Sequence, residues 1–313
     1  MDAGSDSVSA FSVSDDSLDF VDSYDTGGDF PVSIAIHGKL VYVLNAGNEG
    51  SIMGFRLVNT NKCRLVPINK SYRTLLQADG QDPPFFVISP SQISFTPNGS
   101  FLVAVVKGFE QGEIFVFPVS NNGRTGTPTI TVAEGFTPFS FDFDRQGNLL
   151  LSEAFGAADD PPTSDAGPTD GAGAVSSYRI TSGGRVRTIS ASVGNGQSAT
   201  CWLKYVDGCA FVTNNFDDTI SSYRVSGDGT LALQDSVAAD QINAPIDITI
   251  VDKFMYVLST RHTLEDGDSN QGQPAIYVYE VNRGRCSLSL LEVVEQGLPT
   301  EDETGNGVVG LVA

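Results

Sequence analysis

One unit of four short strands recurs along this chain and leaves little room for any other architecture. Its clearest copy spans residues 198–235, SATCWLKYVDGCAFVTNNFDDTISSYRVSGDGTLALQD. Two apolar runs, at 200–206 and 209–213, flank a turn at Asp207-Gly208. A polar loop at 214–218 leads to an alternating run at 219–225, and Gly227-Asp228-Gly229 turns the chain into a fourth run at 231–237. Apolar or alternating runs of this length, cut by Gly, Asp and Asn, specify strands rather than helices. Four antiparallel strands in about forty residues make one blade of a β-propeller.

The same plan holds elsewhere. Residues 7–24 (SVSAFSVSDDSLDFVDSY) match only the second half of the unit: strand, turn, strand. Complete units follow at 32–68, 91–133, 138–192, 199–237 and 245–294, and GVVGLVA at 307–313 resembles one more strand. The third strand carries the repeat most plainly, since SIMGFRL, EIFVFPV, AVSSYRI, TISSYRV and AIYVYEV share one alternation. Inner runs such as LVYVL, FLVAVV and FMYVLS are apolar on both faces, as strands packed between two sheets must be, whereas outer runs alternate. The expected fold is therefore all-β, a single β-propeller domain over 1–313. It has five complete four-stranded antiparallel blades, a partial blade at 1–30 and a closing strand at 307–313.

Composition narrows the partners. With 40% hydrophobic and 18% charged residues the chain is globular. Its 18 basic against 38 acidic residues, a formal charge of −20, repel phosphate backbones and anionic lipid, so no nucleic-acid partner is expected. No apolar run approaches a membrane span; FLVAVV is typical of the longest. The acidic start MDAGSD is not a signal peptide. Scarce Lys and abundant Gly, Ser, Thr, Asp and Asn nevertheless favour an extracellular or periplasmic protein, with a cytoplasmic one as the alternative. A monomer is expected, with a small-molecule ligand or a protein as partner.

The four cysteines are expected to be reduced. Cys63 and Cys286 occupy the same place in two non-adjacent units, too far apart for a bridge. Cys201 and Cys209 lie on consecutive strands but not opposite each other. They are expected, with Trp202, in the core.

With strands lettered A to D outwards, the A–B and C–D turns are short, and length varies in the B–C loops at 46–50, 107–112, 154–172, 214–218 and 260–273. Variable loops on a rigid scaffold are the usual carriers of function. On that side His262 and its neighbour Arg261 form a candidate acid/base group with an anion-binding partner. Glu153 ends strand B of the third unit, with its carboxylate expected at the mouth of the channel. Lys107 takes the corresponding place in the second unit as a candidate substrate-binding cation. Each also has a plain alternative, an exposed loop pair for Arg261 and His262 and a loop tie for Glu153 and Lys107. His37 lies in a short turn. The acidic insertion around Asp159, Asp160, Asp165 and Asp170 is expected to be unstructured. EDGDSN at 265–270 lacks calcium-loop spacing, so no metal is expected. No nucleophile elbow, zinc motif, P-loop or dinucleotide fingerprint is present.

The chain resembles the seven-bladed lactonase-type propellers, which include 6-phosphogluconolactonases and carboxymuconate-lactonizing enzymes (carboxymuconate cyclases). The resemblance rests on GGDFPVSIAIHGKLVYVLNAGNEGSI, SPSQISFTPNGSFLVAVVKG, TPFSFDFDRQGNLLLSEAFG, GNGQSATCW and the closing GVVGLVA. It implies cofactor-free chemistry on a lactone or carboxylated substrate, from His, Arg and Glu side chains in the central channel. Of the right type on the right side are Glu153, Arg261 and His262. It also implies a chain that starts late relative to its family, lacking a leader and a first blade. The alternative to an enzyme is a non-catalytic exported propeller that binds a partner through its B–C loops.

Overall fold

The structure, a computed structural model, describes residues 1–14, 17–59, 63–75, 80–108, 112–156, 158, 171–262, 273–295 and 298. The closing strand expected at 307–313 and the two acidic segments at 159–170 and 265–270 lie outside them. The described chain forms two compact units, one of Met1–Ala133 with Ile180–Val186, the other of Glu134–Arg179 with Arg187–Ala313.

The first unit opens with a two-stranded sheet, β1 (Ser7–Val13) and β2 (Leu18–Asp25), the half-blade foreseen from sequence. The first complete blade follows as β3 (Pro31–His37), β4 (Leu40–Asn45), β5 (Ser51–Asn59) and β6 (Arg64–Pro67), paired in that order and antiparallel throughout. A two-residue strand, β7 (Arg73–Thr74), also pairs with β5. The second blade is β8 (Pro90–Phe95), β9 (Phe101–Val106), β10 (Glu113–Pro118) and β11 (Thr129–Val132).

The second unit carries three blades of the same plan. They are β12 (Phe136–Phe143) to β15 (Val186–Gly194), β16 (Thr200–Val206) to β19 (Leu231–Ala239), and β20 (Pro245–Val251) to β23 (Ser287–Val294). Their inner members are β13 (Leu149–Phe155) and β14 (Ala174–Ile180), β17 (Cys209–Asn214) and β18 (Thr219–Val225), and β21 (Phe254–His262) and β22 (Gln273–Asn282). Strand bounds match the sequence expectation to within a few residues, and the described residues are all-β apart from short 3-10 turns.

Burial follows the strand letter. Strand B is sealed in every blade, with Val43 and Leu44, Leu102–Val106, Leu149–Leu151, Phe211 and Val212, and Val257 and Leu258 all at 2% exposure or less. Covering both faces of such a strand stabilises by about 1.5–3 kcal/mol per large side chain. In the first unit Tyr42, Ile52, Phe95 and Phe117 share one core between its two complete blades. Leu150, Val175, Leu203, Val212 and Tyr223 do the same in the second. Trp202, expected in the core, is only half-buried; its ring meets Phe139 edge-on at 5.5 Å.

Strand A is bulged in all five blades. Its register against strand B shifts near its start, at Pro31, Pro90, Pro138, Thr200 and Pro245. Proline gives the ladder no N–H and is at home on an edge strand beside a bulge. The bulged N–H groups find strand B of their own blade, Ser140 N–H donating to Ser152 Oγ at 3.0 Å and Trp202 N–H to Thr213 Oγ1 at 3.1 Å. N–H groups on the open edge of strand A reach side chains on the preceding blade. Ile93 N–H donates to Ser33 Oγ at 3.1 Å, Leu203 N–H to Ser140 Oγ at 3.2 Å and Tyr205 N–H to Asp142 Oδ2 at 3.0 Å. One strand A is thereby pinned to the next.

The cysteines depart from expectation. Cys209 and Cys286 form a disulfide with Cα atoms 5.4 Å apart, while Cys63 and Cys201 keep their thiols. Comparing equivalent positions misses this pair. Cys209 follows the A–B turn of the fourth blade and Cys286 ends the C–D turn of the fifth, and these two kinds of turn lie at the same end of adjacent blades. The bridge spans 77 residues, which by chain entropy constrains the unfolded state by about 4–5 kcal/mol. Thiol titration of the denatured, unreduced protein is expected to find two of the four cysteines. Reductant or Cys286→Ser should lower the melting temperature of the second unit, and equal melting with and without reductant would refute the bridge.

Candidate functional site

The end of strand B, where the loop of each blade begins, is built on one recurrent position. Pairing to strand A identifies it as Asn45, Val106, Glu153, Asn214 and Ser259, opposite Pro31, Pro90, Pro138, Thr200 and Pro245. All five are at 2% exposure or less. The four polar members each reach the linker that precedes their own strand A. Asn45 Nδ2 donates to Thr26 O at 3.4 Å and to Ser51 Oγ at 3.0 Å. Asn214 Oδ1 accepts from Asn195 Nδ2 at 3.0 Å and from Thr200 Oγ1 at 2.7 Å, and its Nδ2 donates to Thr219 and Ser221. Ser259 Oγ donates to Asn243 O, at 2.5 Å. A buried polar group must be hydrogen-bonded to be tolerated, so each acts as a clasp between linker and loop.

Glu153 is the clasp of the third blade, and this corrects its expected place at the mouth of a channel. Its side chain is completely buried. Oε1 accepts from Gly135 N–H at 3.0 Å and from Tyr178 OH at 3.4 Å, while Oε2 accepts from Ser192 Oγ at 2.8 Å. Tyr178 OH in turn accepts from Glu134 N–H at 2.9 Å. Gly135 and Gly156 close over the carboxylate, and a Cβ at either position would overlap it. Burial pushes the Glu153 pKa up, against the opposing pull of hydrogen bonds from Ser176, Ser192, Gly135 and Tyr178. Burial, reinforced by the Glu153 carboxylate, likewise raises the Tyr178 phenol. No cation pairs with Glu153 among its described partners. Its alternative as a loop tie is what the geometry displays.

Lys107, just beyond β9, is 5% exposed, and its Nζ lies over the Phe86 ring, 4.2 Å from the centroid. The cation is stabilised there by the ring face. By strand pairing the second-blade equivalent of Glu153 is Val106, not Lys107. Arg261 and His262 end β21, with His262 paired to Gln273 across the sheet; their side chains lie outside the described residues. His37 ends β3, exposed, its ring 5.6 Å from that of Phe95. Among the described residues no group of three His, Cys, Asp or Glu side chains could hold a metal ion, and no helix is long and apolar enough to cross a membrane.

No protein-family model matches the chain, and no curated protein matches it in sequence. Solved structures match the fold. A protein of unknown function from Desulfotomaculum acetoxidans superposes with a TM-score of 0.70 at 14% identity, over 98% of this chain and 82% of that one. A candidate 6-phosphogluconolactonase from Bacteroides uniformis gives 0.65 at 14% identity, over 90% of this chain and 75% of that one. The β-propeller domain of Cps50 (Swd1) from Myceliophteria thermophila gives 0.52 at 11% identity, over 90% and 78%. The fold is that of a β-propeller.

The clasp has a measurable signature. A raised pKa means that the folded protein holds the Glu153 proton to higher pH than the unfolded chain. Its contribution is therefore complete below the ordinary glutamate value and is lost as pH rises through the folded one. Glu153→Gln, which keeps the shape without the charge, should be as stable as the parent in acid and gain on it with rising pH. Glu153→Ala should cost about 2–4 kcal/mol in acid, from the cavity and the orphaned donors, and less as pH rises. Melting curves of the three proteins from acid to neutral pH check both; parallel curves for parent and Glu153→Gln would refute the raised pKa.

Proposed function

We propose that this protein is an exported propeller of the lactonase type that works by binding, through the B–C ends of its blades. One observation carries the reading. Glu153 and Lys107, two of the four side chains of the right chemistry, are buried and occupied, one as a clasp and the other against an aromatic ring. A residue sealed from solvent cannot meet a substrate. The disulfide supports export, because such bridges persist in oxidising compartments. The formal charge of −20 favours a neutral or cationic ligand over a phosphorylated or multiply carboxylated one.

Lactone hydrolysis is the second reading, favoured by the likeness in fold to a candidate 6-phosphogluconolactonase. It rests on Arg261 and His262 at the end of β21. His262 would take a proton from water as the oxygen attacks the lactone carbonyl, and Arg261 would stabilise the developing oxyanion. The ring C–O bond then breaks, and the imidazolium returns the proton to the leaving alkoxide. No metal or cofactor enters this scheme.

A panel of γ- and δ-lactones, with 6-phosphogluconolactone among them, separates the two. Binding predicts no turnover above buffer by the purified protein. Hydrolysis predicts turnover that falls by about 10²-fold or more in Arg261→Ala and His262→Ala. Turnover that survives both substitutions would remove the pair from the mechanism.

A further inference from the structure

Charge is sorted by end in the two complete blades of the first unit. Their carboxylates, Glu49, Asp79, Asp82, Glu110 and Glu113, all fall in or beside B–C loops and D–A linkers. None falls at an A–B or C–D turn. Those turns carry cations instead: Lys39 between β3 and β4, Lys62 between β5 and β6, and Arg124 between β10 and β11. Arg56 near the end of β5 and Arg64 at the start of β6 join them, and Lys39, Arg64 and Arg124 are exposed. The fold gathers the set. Leu57 N–H donates to Lys39 O at 2.9 Å, which holds Lys39 beside the end of β5. Arg56 Nη2 donates to Asn122 O at 2.7 Å, two residues from Arg124. Gly123 packs so closely on Leu40 that a Cβ there would overlap its side chain, so the β10–β11 turn lies against the first blade.

Turns of the same kind in the second unit use their cations differently. There Arg145 and Arg283 pair with Asp207, and Lys253 Nζ pairs with Glu280 at 2.6 Å. Among the described residues Lys39, Arg64 and Arg124 have no carboxylate partner. Cations held together without counter-charge repel one another, a cost that an external anion relieves. The spacing and the surroundings select that anion. Cations on separate turns suit a charge that repeats, because each further contact is then intramolecular. The arginine fork matches a carboxylate through two hydrogen bonds. A flat anionic bilayer would also meet the β1–β2 turn, which carries Asp15 and Asp16. That turn lies at the same end, since Asp6 at the start of β1 holds the opposite one through Phe30 N–H at 2.9 Å. Duplex nucleic acid, at one charge per ~1.7 Å of axis, is strongly repelled by the formal charge of −20.

We propose that the A–B and C–D turns of the first unit's two complete blades form a docking surface for a linear polysaccharide of carboxylated sugars. One strand of it lies across the turns with its carboxylates on Lys39, Arg64 and Arg124. The choice of a sugar polymer rests on the exported reading, and the surface itself is independent of the function proposed for the B–C ends.

The test is fluorescence anisotropy of a labelled alginate oligomer with the full chain at low ionic strength. Binding is expected, and it should weaken with added salt. It should weaken about tenfold in Arg64→Ser/Arg124→Ser at unchanged melting temperature. Arg145→Ser/Lys253→Ser, which removes two paired cations of the second unit, should leave it as it was. Failure of alginate to bind overturns the proposal. So does binding that the two double variants weaken alike, or that uncharged dextran matches. Tighter binding of anionic lipid vesicles or of duplex DNA would overturn it in favour of those partners.

Discussion

Strand A is the edge of each sheet, so alternate backbone N–H groups along it have no ladder partner, and each must find an acceptor or cost about 1–3 kcal/mol if buried. In this protein the acceptors come from the neighbouring blade: Ser33 serves Ile93, Ser140 serves Leu203 and Asp142 serves Tyr205. The second and fourth blades are each held to the one before by that exchange. A four-stranded sheet with an apolar strand B cannot stand in water, and the pegs on strand A fix the register in which the next sheet covers it. Packing supplies most of the energy and the hydrogen bonds supply the alignment.

The clasp at the end of strand B adds a second, polar layer of order. Asn45, Asn214 and Ser259 are neutral, so their burial asks only for hydrogen bonds. Glu153 does the same work with an ionisable group, and its surroundings respond as physics requires: donors on both oxygens, two glycines giving close cover and a pKa driven upward by burial. An ionisable group is tolerated there because four hydrogen-bonding groups, Ser176, Ser192, Gly135 and Tyr178, surround it.

Much of this was legible in the sequence. Period-two alternation on the third strand and solid apolar runs on the second located every long strand, because burial on one face or two leaves a direct imprint on residue choice. β7 escaped because two residues carry no period. Glu153 was misplaced for a different reason. A carboxylate at the end of a strand is most simply solvated, and only the pairing Pro138↔Glu153 reveals its kinship with Asn45 and Asn214. The disulfide was missed because equivalent positions were compared, whereas Cys209 and Cys286 occupy different turns of neighbouring blades. The bulges had a visible sign, a proline at the head of four of the five first strands, whose meaning appears only in the register.

The bridge between Cys209 and Cys286 closes a ring of chain that contains the whole insertion between β21 and β22. A protease that cuts within 263–272 therefore opens the ring without releasing a fragment. The two pieces stay covalently joined, and β21 and β22, on either side of the cut, are paired in one sheet. In a medium that holds both oxidants and proteases, the sequence between β21 and β22 is thus free to vary, or to be cut, at little risk to the fold on either side of it.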